Sequence, residues 1–186
     1  LDLNNLEIWA IGRRDFEREV YHSFACSDRC HDSFKKRLHY LQIDFESVEL
    51  CSKCLGALDK KSVNYFYLAT PPNLYRQILL SLSKIKREGY KLRILIEKPF
   101  GESLKDAKAL KRLITKENLA DEVYLSDHYL FKKGIIGLKR APFKRLEIIA
   151  SEQAGLEGRT AFYEGIGALK DMVQSHLLNT LFKFLP

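Results

Sequence analysis

The sequence predicts an α/β protein with a doubly wound parallel sheet, followed by the start of an α+β domain. Short apolar runs alternate with stretches of helical periodicity, which is typical of parallel strands joined by helices. The clearest unit is a strand at residues 92–96, apolar on both faces, which ends in a turn at Lys98-Pro99 and is followed by a helix. Pro99 lacks an N–H and has a restricted φ, so this turn is expected to be rigid.

The other elements follow from hydrophobic period and from turn residues. Pro71 and Pro72 end one strand because proline cannot donate to a ladder, and Ser103 is expected to cap the helix that follows it. The predicted strands cover residues 6–11, 38–44, 65–69, 92–96, 123–125 and 146–150. The predicted helices cover residues 15–24, 28 or 32 to 38, 45–58, 74–87, 104–115 and 168–184.

The strand–helix alternation stops near residue 127, so a domain boundary is expected there. Residues 1–126 would form the sheet domain, and residues 127–186 would begin the second domain. On the last predicted helix, apolar residues form a stripe with His176 at its edge. The stripe consists of Met172, Val173, Leu177 and Leu181.

The charge pattern favours a small anionic ligand over nucleic acid. The net charge is +7, but the basic residues are spread along the chain with acidic residues between them. No basic run with interleaved aromatic residues offers a stacking platform for bases. No apolar run approaches the ~18 residues that a membrane span needs. We therefore expect neither a nucleic acid nor a membrane as partner.

The four cysteines form two close pairs, Cys26 with Cys30 and Cys51 with Cys54. Such pairs can bind zinc, which would suit a zinc-dependent nucleic-acid module. The spacing of the first pair is unusual, and the second pair lies in a predicted helix. Structural thiols in a reducing, cytoplasmic compartment are the favoured interpretation.

Local motifs alone do not establish a dinucleotide site. No G-x-G-x-x-G follows a predicted strand, and Gly165-x-Gly167 lacks the third glycine. Lys98 lies at the carboxyl end of a strand, where open α/β sheets bind ligands, but an ordinary connection explains it equally well. Taken alone, His176 fits a core histidine and Asp171 an ordinary helix carboxylate.

Five stretches in order resemble the glucose-6-phosphate dehydrogenase family. Two of them are Glu-Lys-Pro-Phe-Gly at 97–101 and Asp-His-Tyr-Leu-x-Lys at 127–132. A third contains Gly-Arg at 158–159 and Asp-Met-Val-Gln-Ser-His at 171–176. The remaining two are the strand ends at 8–13 and at 67–72, the latter reading Tyr-Leu-Ala-Thr-Pro-Pro.

This resemblance implies the oxidation of D-glucose 6-phosphate to 6-phosphoglucono-1,5-lactone with NADP, the first step of the pentose phosphate pathway. It implies a Rossmann-like coenzyme domain without its first strand, and a dimer or tetramer. His176 matches the general base, and Asp127 matches the carboxylate that orients it. Lys98 matches a lysine between sugar and nicotinamide.

The resemblance also implies roles in binding. Arg13 matches the arginine that meets the adenosine 2′-phosphate, which favours NADP, and Pro72 and Pro99 match prolines beside the coenzyme. The peptide bond before Pro99 is expected to be cis. The residues that match the family's ligands of the sugar phosphate are His128, Tyr129 and Lys132. Those that match ligands of the sugar hydroxyls are Glu152 and Asp171.

Several differences from the family pattern predict that this sequence is only part of a longer enzyme. The family's Gly-x-x-Gly-Asp-Leu-Ala loop and its large antiparallel sheet are not in the sequence. Phe131 and Lys133 replace an expected Gly and Glu, and Glu152 lies only twenty positions after Lys132, so residues near 139–143 are suspected to be missing. These 186 residues alone are expected to be inactive. A non-catalytic fragment or degenerate homologue that binds sugar phosphate is the alternative.

Overall fold

The computed structural model describes residues 6–26, 30–43, 50–127, 142, 144–149 and 169–185. The strands are β1 (Ile8–Gly12), β2 (Leu38–Gln42), β3 (Val63–Leu68), β4 (Lys91–Glu97) and β5 (Val123–Ser126). The helices are α1 (Arg18–Cys26), α2 (Asp32–Lys36), α3 (Leu50–Leu55), α4 (Tyr75–Arg87), α5 (Leu104–Lys116) and α6 (Leu178–Phe184). A 3₁₀ turn, Pro72–Leu74, precedes α4, and a π-helix, Leu169–Leu177, precedes α6.

All described strand pairs are parallel, as the sequence predicts. One sheet contains β1 and β2, and the other has the order β3-β4-β5. In a doubly wound sheet of strand order 3-2-1-4-5-6, two strands lie on one side of the first strand and three on the other. If that central strand is not among the strands described, a two-stranded and a three-stranded sheet remain, as observed. The two sheets therefore agree with the predicted fold class.

The core lies between the three-stranded sheet and the helices α4 and α5. On α4, Ile78, Leu79, Leu82 and Ile85 are buried and follow the spacing of one helical face. They pack in one cluster with the buried residues of β4 and α5. The cluster's other members include Leu92, Ile94, Ile96, Leu110, Leu113 and Ile114. This packing fixes the strands whose carboxyl ends carry the candidate site.

The run at 92–96 is expected to be apolar on both faces, as in a strand covered on each side, but within the described residues β4 is buried on one face only. Exposed and buried residues alternate along the strand, with Leu92, Ile94 and Ile96 buried and Arg93 and Leu95 exposed. The same open face carries exposed tyrosines on the neighbouring strands β3 and β5. An apolar run thus marked a strand correctly, but it did not show how many faces are covered.

The turn between β4 and α5 agrees with the sequence analysis. The Lys98-Pro99 peptide bond is cis. The side chain of Ser103 accepts a hydrogen bond from the N–H of Asp106, so Ser103 is the N-cap of α5. Gly101 has a φ of +90°, and a Cβ placed there would lie 2.9 Å from the backbone nitrogen of Ala107. Only glycine fits this position without strain.

Two predicted elements differ in the structure. Residues 146–149 form no strand, and Ala150 lies outside the described residues. The helix predicted at 168–184 is continuous from 169, but its first half is a π-helix. A hydrophobic pattern with a period of 3.6 residues does not distinguish these two helix types, because it reports only that one face is apolar. The helix predicted at 45–58 is described only as α3.

The cysteine prediction is wrong for the first pair, because a disulfide joins Cys26 and Cys30. The two Cα atoms are 5.3 Å apart, a normal separation for a disulfide. Disulfides are typical of oxidising compartments, so the cysteines no longer support a reducing location. Cys54 is a buried free thiol. Within the described residues, no group of three or more His, Cys, Asp or Glu side chains could hold a metal.

Gly101→Ala is expected to lower the free energy of unfolding by about 2–4 kcal/mol, from left-handed strain plus overpacking. Gly89 is a matched control, because its φ is +92° but nothing lies near the added methyl group. Gly89→Ala should therefore cost only the strain, about 1–2 kcal/mol. Urea unfolding of the two variants measures the difference, and equal losses would show that the approach to Ala107 does not constrain the turn.

Candidate active site

Three side chains that are distant in sequence meet at one end of the sheet. The Nζ atom of Lys98 lies 2.7 Å from Oδ2 of Asp127 and 2.8 Å from Nδ1 of His176. Nδ1 of His176 is also 3.5 Å from Oδ1 of Asp127. His176 is 5 % exposed and Asp127 9 %. The sequence analysis placed these three residues in one site, and the structure brings them together.

The pairing of β4 with β5 positions two members of this group. Glu97 is paired with Ser126 at the last step of the ladder, so the next residues on the two strands are Lys98 and Asp127. Neighbouring parallel strands lie about 4.8 Å apart, which a lysine side chain spans easily. An ion pair therefore forms at the carboxyl edge, where α/β sheets bind their ligands.

The π-helix positions His176. His176 and Thr180 are buried on one side of the helix, whereas Val173 is 38 % exposed. The predicted apolar stripe, which had Val173 inside and His176 at its edge, is therefore wrong in phase. A π-helix has i→i+5 hydrogen bonds, so its residues advance around the axis by a smaller angle than in an α-helix. Short π-helical segments are frequent at functional sites.

Two tyrosines hold the strand end that precedes Lys98. The Tyr75 hydroxyl donates a hydrogen bond to the backbone oxygen of Glu97, at 3.2 Å. The Tyr67 hydroxyl donates a short hydrogen bond to the Glu97 carboxylate. That bond, together with burial, raises the pKa of Tyr67 to about 12. Tyr67 therefore stays a hydroxyl donor throughout the neutral range. Glu97, the residue before Lys98, is held through its backbone oxygen by Tyr75 and through its side chain by Tyr67.

Asn179 is a site residue that the sequence analysis does not identify. Its side-chain nitrogen donates to Oδ2 of Asp127 at 3.2 Å, so this oxygen accepts from both Lys98 and Asn179. The available signal was its position three residues after His176, which places two polar residues on neighbouring turns of the helix. Tyr67 and Tyr75 gave no comparable signal, because tyrosine is common in strands and helix starts.

A second polar region follows β1, where Arg13 and Arg14 are exposed. The Tyr40 hydroxyl donates to the backbone oxygen of Arg14 at 2.7 Å, and the Gln42 amide donates to that of Arg13 at 3.2 Å. The path of the backbone is thereby fixed while both guanidinium groups remain exposed. Gly12 leaves room for Tyr40, because a Cβ there would lie 2.7 Å from its hydroxyl oxygen.

The end of β3 carries the third polar feature of this edge. Pro72 begins the 3₁₀ turn that leads into α4. Two residues earlier, the hydroxyl oxygen of Thr70 is buried and has no hydrogen-bond partner within the described part of the chain. Buried polar atoms are nearly always satisfied, so an unpaired hydroxyl at a strand's carboxyl end suits contact with a polar ligand.

Comparison with known proteins decides the family. The family model for the NAD-binding domain of glucose-6-phosphate dehydrogenase matches residues 3–136. The model for the C-terminal domain of the same enzyme matches residues 138–184. This chain belongs to the glucose-6-phosphate dehydrogenase family. Its parallel sheets with flanking helices are a Rossmann-like coenzyme domain, which confirms the predicted fold class.

Curated relatives agree with this assignment. The glucose-6-phosphate 1-dehydrogenase of Treponema pallidum is 38 % identical over 169 residues, which cover 78 % of this chain and 33 % of the relative. That of Borreliella burgdorferi is 33 % identical over 158 residues, covering 76 % of this chain and 33 % of the relative. The chain therefore spans about a third of the length of these relatives.

Two solved structures share the fold. The glucose-6-phosphate 1-dehydrogenase of Mycobacterium avium matches with a TM-score of 0.68 at 24 % identity, covering 94 % of this chain and 43 % of its own. A glucose-6-phosphate dehydrogenase in complex with its substrate, glucose 6-phosphate, matches with a TM-score of 0.69 at 22 % identity. It is covered over 44 % of its length, and this chain over 97 %.

The side chains of the remaining predicted site residues are not among those that the structure describes. His128, Tyr129, Lys132 and Glu152 lie outside the described residues, as does the suspected gap near 139–143. Asp171 lies in the π-helix, but its side chain is not among those described. The roles of these residues stay predictions. Among the helices that the structure does describe, none is long and apolar enough to cross a bilayer.

A double-mutant cycle on Lys98→Met and Asp127→Asn should give a coupling energy of about 1–2 kcal/mol in urea unfolding, because the two groups form a mostly buried ion pair. The control cycle combines Lys98→Met with Glu88→Gln, at the C-terminus of α4 in the connection that leads into β4. That control should be additive within about 0.5 kcal/mol. An additive result for Lys98 and Asp127 as well would contradict the ion pair.

Proposed function

We propose that this protein oxidises D-glucose 6-phosphate to 6-phosphoglucono-1,5-lactone with NADP as hydride acceptor, the first step of the pentose phosphate pathway. The observation that carries this proposal is the contact of Lys98, Asp127 and His176 at the carboxyl edge of the sheet. Membership of the family supports it. So does the fold shared with a glucose-6-phosphate dehydrogenase whose structure holds glucose 6-phosphate.

His176 is the proposed general base. Imidazole ordinarily titrates near neutrality, so it can take the proton of the C1 hydroxyl of the sugar. The Asp127 carboxylate, 3.5 Å from Nδ1, stabilises the imidazolium that this transfer creates. Asn179 and Lys98 hold the carboxylate in place through hydrogen bonds. Burial of His176 and Asp127 keeps water from competing for these contacts.

The other predicted residues complete the proposed sugar site. His128, Tyr129 and Lys132 would grip the phosphate, for which a lysine ammonium and a tyrosine hydroxyl are suitable donors. Glu152 and Asp171 would accept hydrogen bonds from the sugar hydroxyls. Lys98 lies beside the base and so would also contact the sugar close to C1. These assignments rest on the family resemblance.

The chain's residues fit a phosphorylated nicotinamide dinucleotide. Arg13 presents an exposed guanidinium on a fixed backbone, which suits the 2′-phosphate of NADP. Thr70 and Pro72 line the end of β3, on the same edge of the sheet as Lys98. When bound, the coenzyme supplies the nicotinamide ring that accepts the hydride from C1 of the sugar. The preference for NADP over NAD is part of the proposal.

Two further properties, the oligomeric state and the location, stay predictions. The dimer or tetramer follows only from the resemblance. The cytoplasmic location lost its support from the cysteines when Cys26 and Cys30 proved to be bonded. The alternative, a protein that binds sugar phosphate without turnover, is decided by the first experiment below.

His176→Asn in the full-length protein should lower kcat by roughly 10²- to 10⁴-fold, the range of general-base catalysis. Binding of glucose 6-phosphate, followed by calorimetry, should change little, because asparagine keeps the polar character of the position. His22→Asn is the control: this buried histidine contacts the Leu38 carbonyl, far along the chain from the site, and should leave kcat unchanged. Unchanged turnover in His176→Asn would refute the assignment of the base. Binding without any wild-type turnover would instead favour the alternative.

Arg13→Ala should raise the KM for NADP by about 10- to 100-fold, since a hydrogen bond to a charged group contributes roughly 1.5–3 kcal/mol. The KM for NAD should hardly change, because NAD has no 2′-phosphate. Arg112→Ala removes a guanidinium from α5 and serves as the control. Equal effects of Arg13→Ala on the two coenzymes would contradict recognition of the 2′-phosphate.

A further inference from the structure

The position of Lys98 constrains which nitrogen of His176 carries a proton. The lysine Nζ lies 2.8 Å from Nδ1, closer than the 3.5 Å that separates Nδ1 from the Asp127 carboxylate. A charged lysine head group has three donors and no acceptor. The hydrogen bond therefore runs from Lys98 to Nδ1, and Nδ1 accepts it with its lone pair. A neutral imidazole in this position has its proton on Nε2.

This tautomer cannot perform the proposed reaction at Nε2. Nδ1 faces Asp127, so Nε2, on the other side of the ring, is the nitrogen that would receive the proton of the sugar in the proposed reaction. To accept a proton, Nε2 must have a free lone pair, which requires the tautomer with a proton on Nδ1. That proton would be donated to Oδ1 of Asp127, which is 3.5 Å away. The contact between Lys98 and Nδ1 is incompatible with a proton on Nδ1, because two hydrogen-bond donors would then face each other with no acceptor between them.

We propose that Lys98 is a positioning residue that holds His176 in the Nε2–H tautomer until a sugar oxygen draws the lysine away. Once Lys98 leaves, Nδ1 takes up a proton from water and keeps it, donating a hydrogen bond to Oδ1 of Asp127, while the proton on Nε2 is lost to water. No net proton is gained or lost. Substrate binding thus converts His176 into a base, and this step rests on the proposed function because the displacing group is a sugar hydroxyl.

The surroundings of Lys98 allow this movement. Its side chain is 20 % exposed, and the ammonium group is carried on a flexible four-carbon stem. The preceding residue, Glu97, is held through its backbone oxygen by Tyr75 and through its carboxylate by Tyr67. The head group can therefore turn about its own stem while the strand stays in place. Asp127 remains tied to Asn179 after Lys98 has moved, so the acceptor for the Nδ1 proton does not move with the lysine.

Nitrogen NMR of the full-length protein with ¹⁵N-labelled histidine tests the first part, because a protonated ring nitrogen and one with a lone pair resonate in separate regions. Spectra are recorded at roughly pH 8.5, two units above the ordinary imidazole pKa. The His176 signals are assigned by their loss in His176→Asn. The free wild-type protein should show the Nε2–H tautomer, and Lys98→Met should reverse it to Nδ1–H.

Two controls separate this effect from a general disturbance. Lys98→Arg retains a head group that only donates, so it should keep the Nε2–H tautomer. Lys91→Met removes a lysine from the other end of β4 and should change nothing. An Nδ1–H tautomer in the free wild-type protein would overturn the proposal, whether or not Lys98→Met folds. An Nε2–H tautomer that persists in folded Lys98→Met would do the same.

The second part is tested by adding glucose 6-phosphate without coenzyme. Saturated wild-type protein should change to the Nδ1–H tautomer, and failure to change would overturn the release step. If calorimetry shows that glucose 6-phosphate does not bind at all, the proposed function fails instead. The claim that Lys98 sets the tautomer in the free protein would then still be tested by the comparison of wild type with Lys98→Met.

Discussion

The register between β4 and β5 is the constraint on which the candidate site depends. Because Glu97 pairs with Ser126, the chain leaves the sheet on both strands at the same level, and Lys98 and Asp127 emerge side by side. A slip of one residue would turn the side chains of the shifted strand to the other face of the sheet and separate this ion pair. The buried Ile94 and Ile96 hold the register, since a slip would expose them. The packing of the core thus determines the chemistry at the sheet's edge.

Most of the fold could be predicted from the sequence, because its elements are strongly periodic. The four apolar residues of α4 and the cap at Ser103 are local signals, and the structure confirms both. What failed depended on information that is not local. The open face of β4 depends on what covers the sheet, and the π-helix before α6 depends on how its backbone packs. The disulfide depends on compartment and on the distance between Cys26 and Cys30.

The candidate site could be predicted only through the family resemblance. Taken singly, Lys98, Asp127 and His176 were no more informative than an ordinary turn, strand end and core histidine. Their contact requires the register of two strands and the phase of a π-helix, neither of which a periodic pattern contains. For the same reason the supporting residues Tyr67, Tyr75 and Asn179 were not predicted, although each has a specific hydrogen bond in the structure.

The central claim is that this site removes a hydride from C1 of glucose 6-phosphate. The most direct test supplies the full-length protein with NADP and glucose 6-phosphate that carries deuterium at C1, and follows the deuterium by mass spectrometry and NMR. We predict that the deuterium appears in the nicotinamide ring and that turnover of the labelled sugar is slower when the chemical step limits the rate. Reduced coenzyme without deuterium, or no reduced coenzyme at all, would contradict the account.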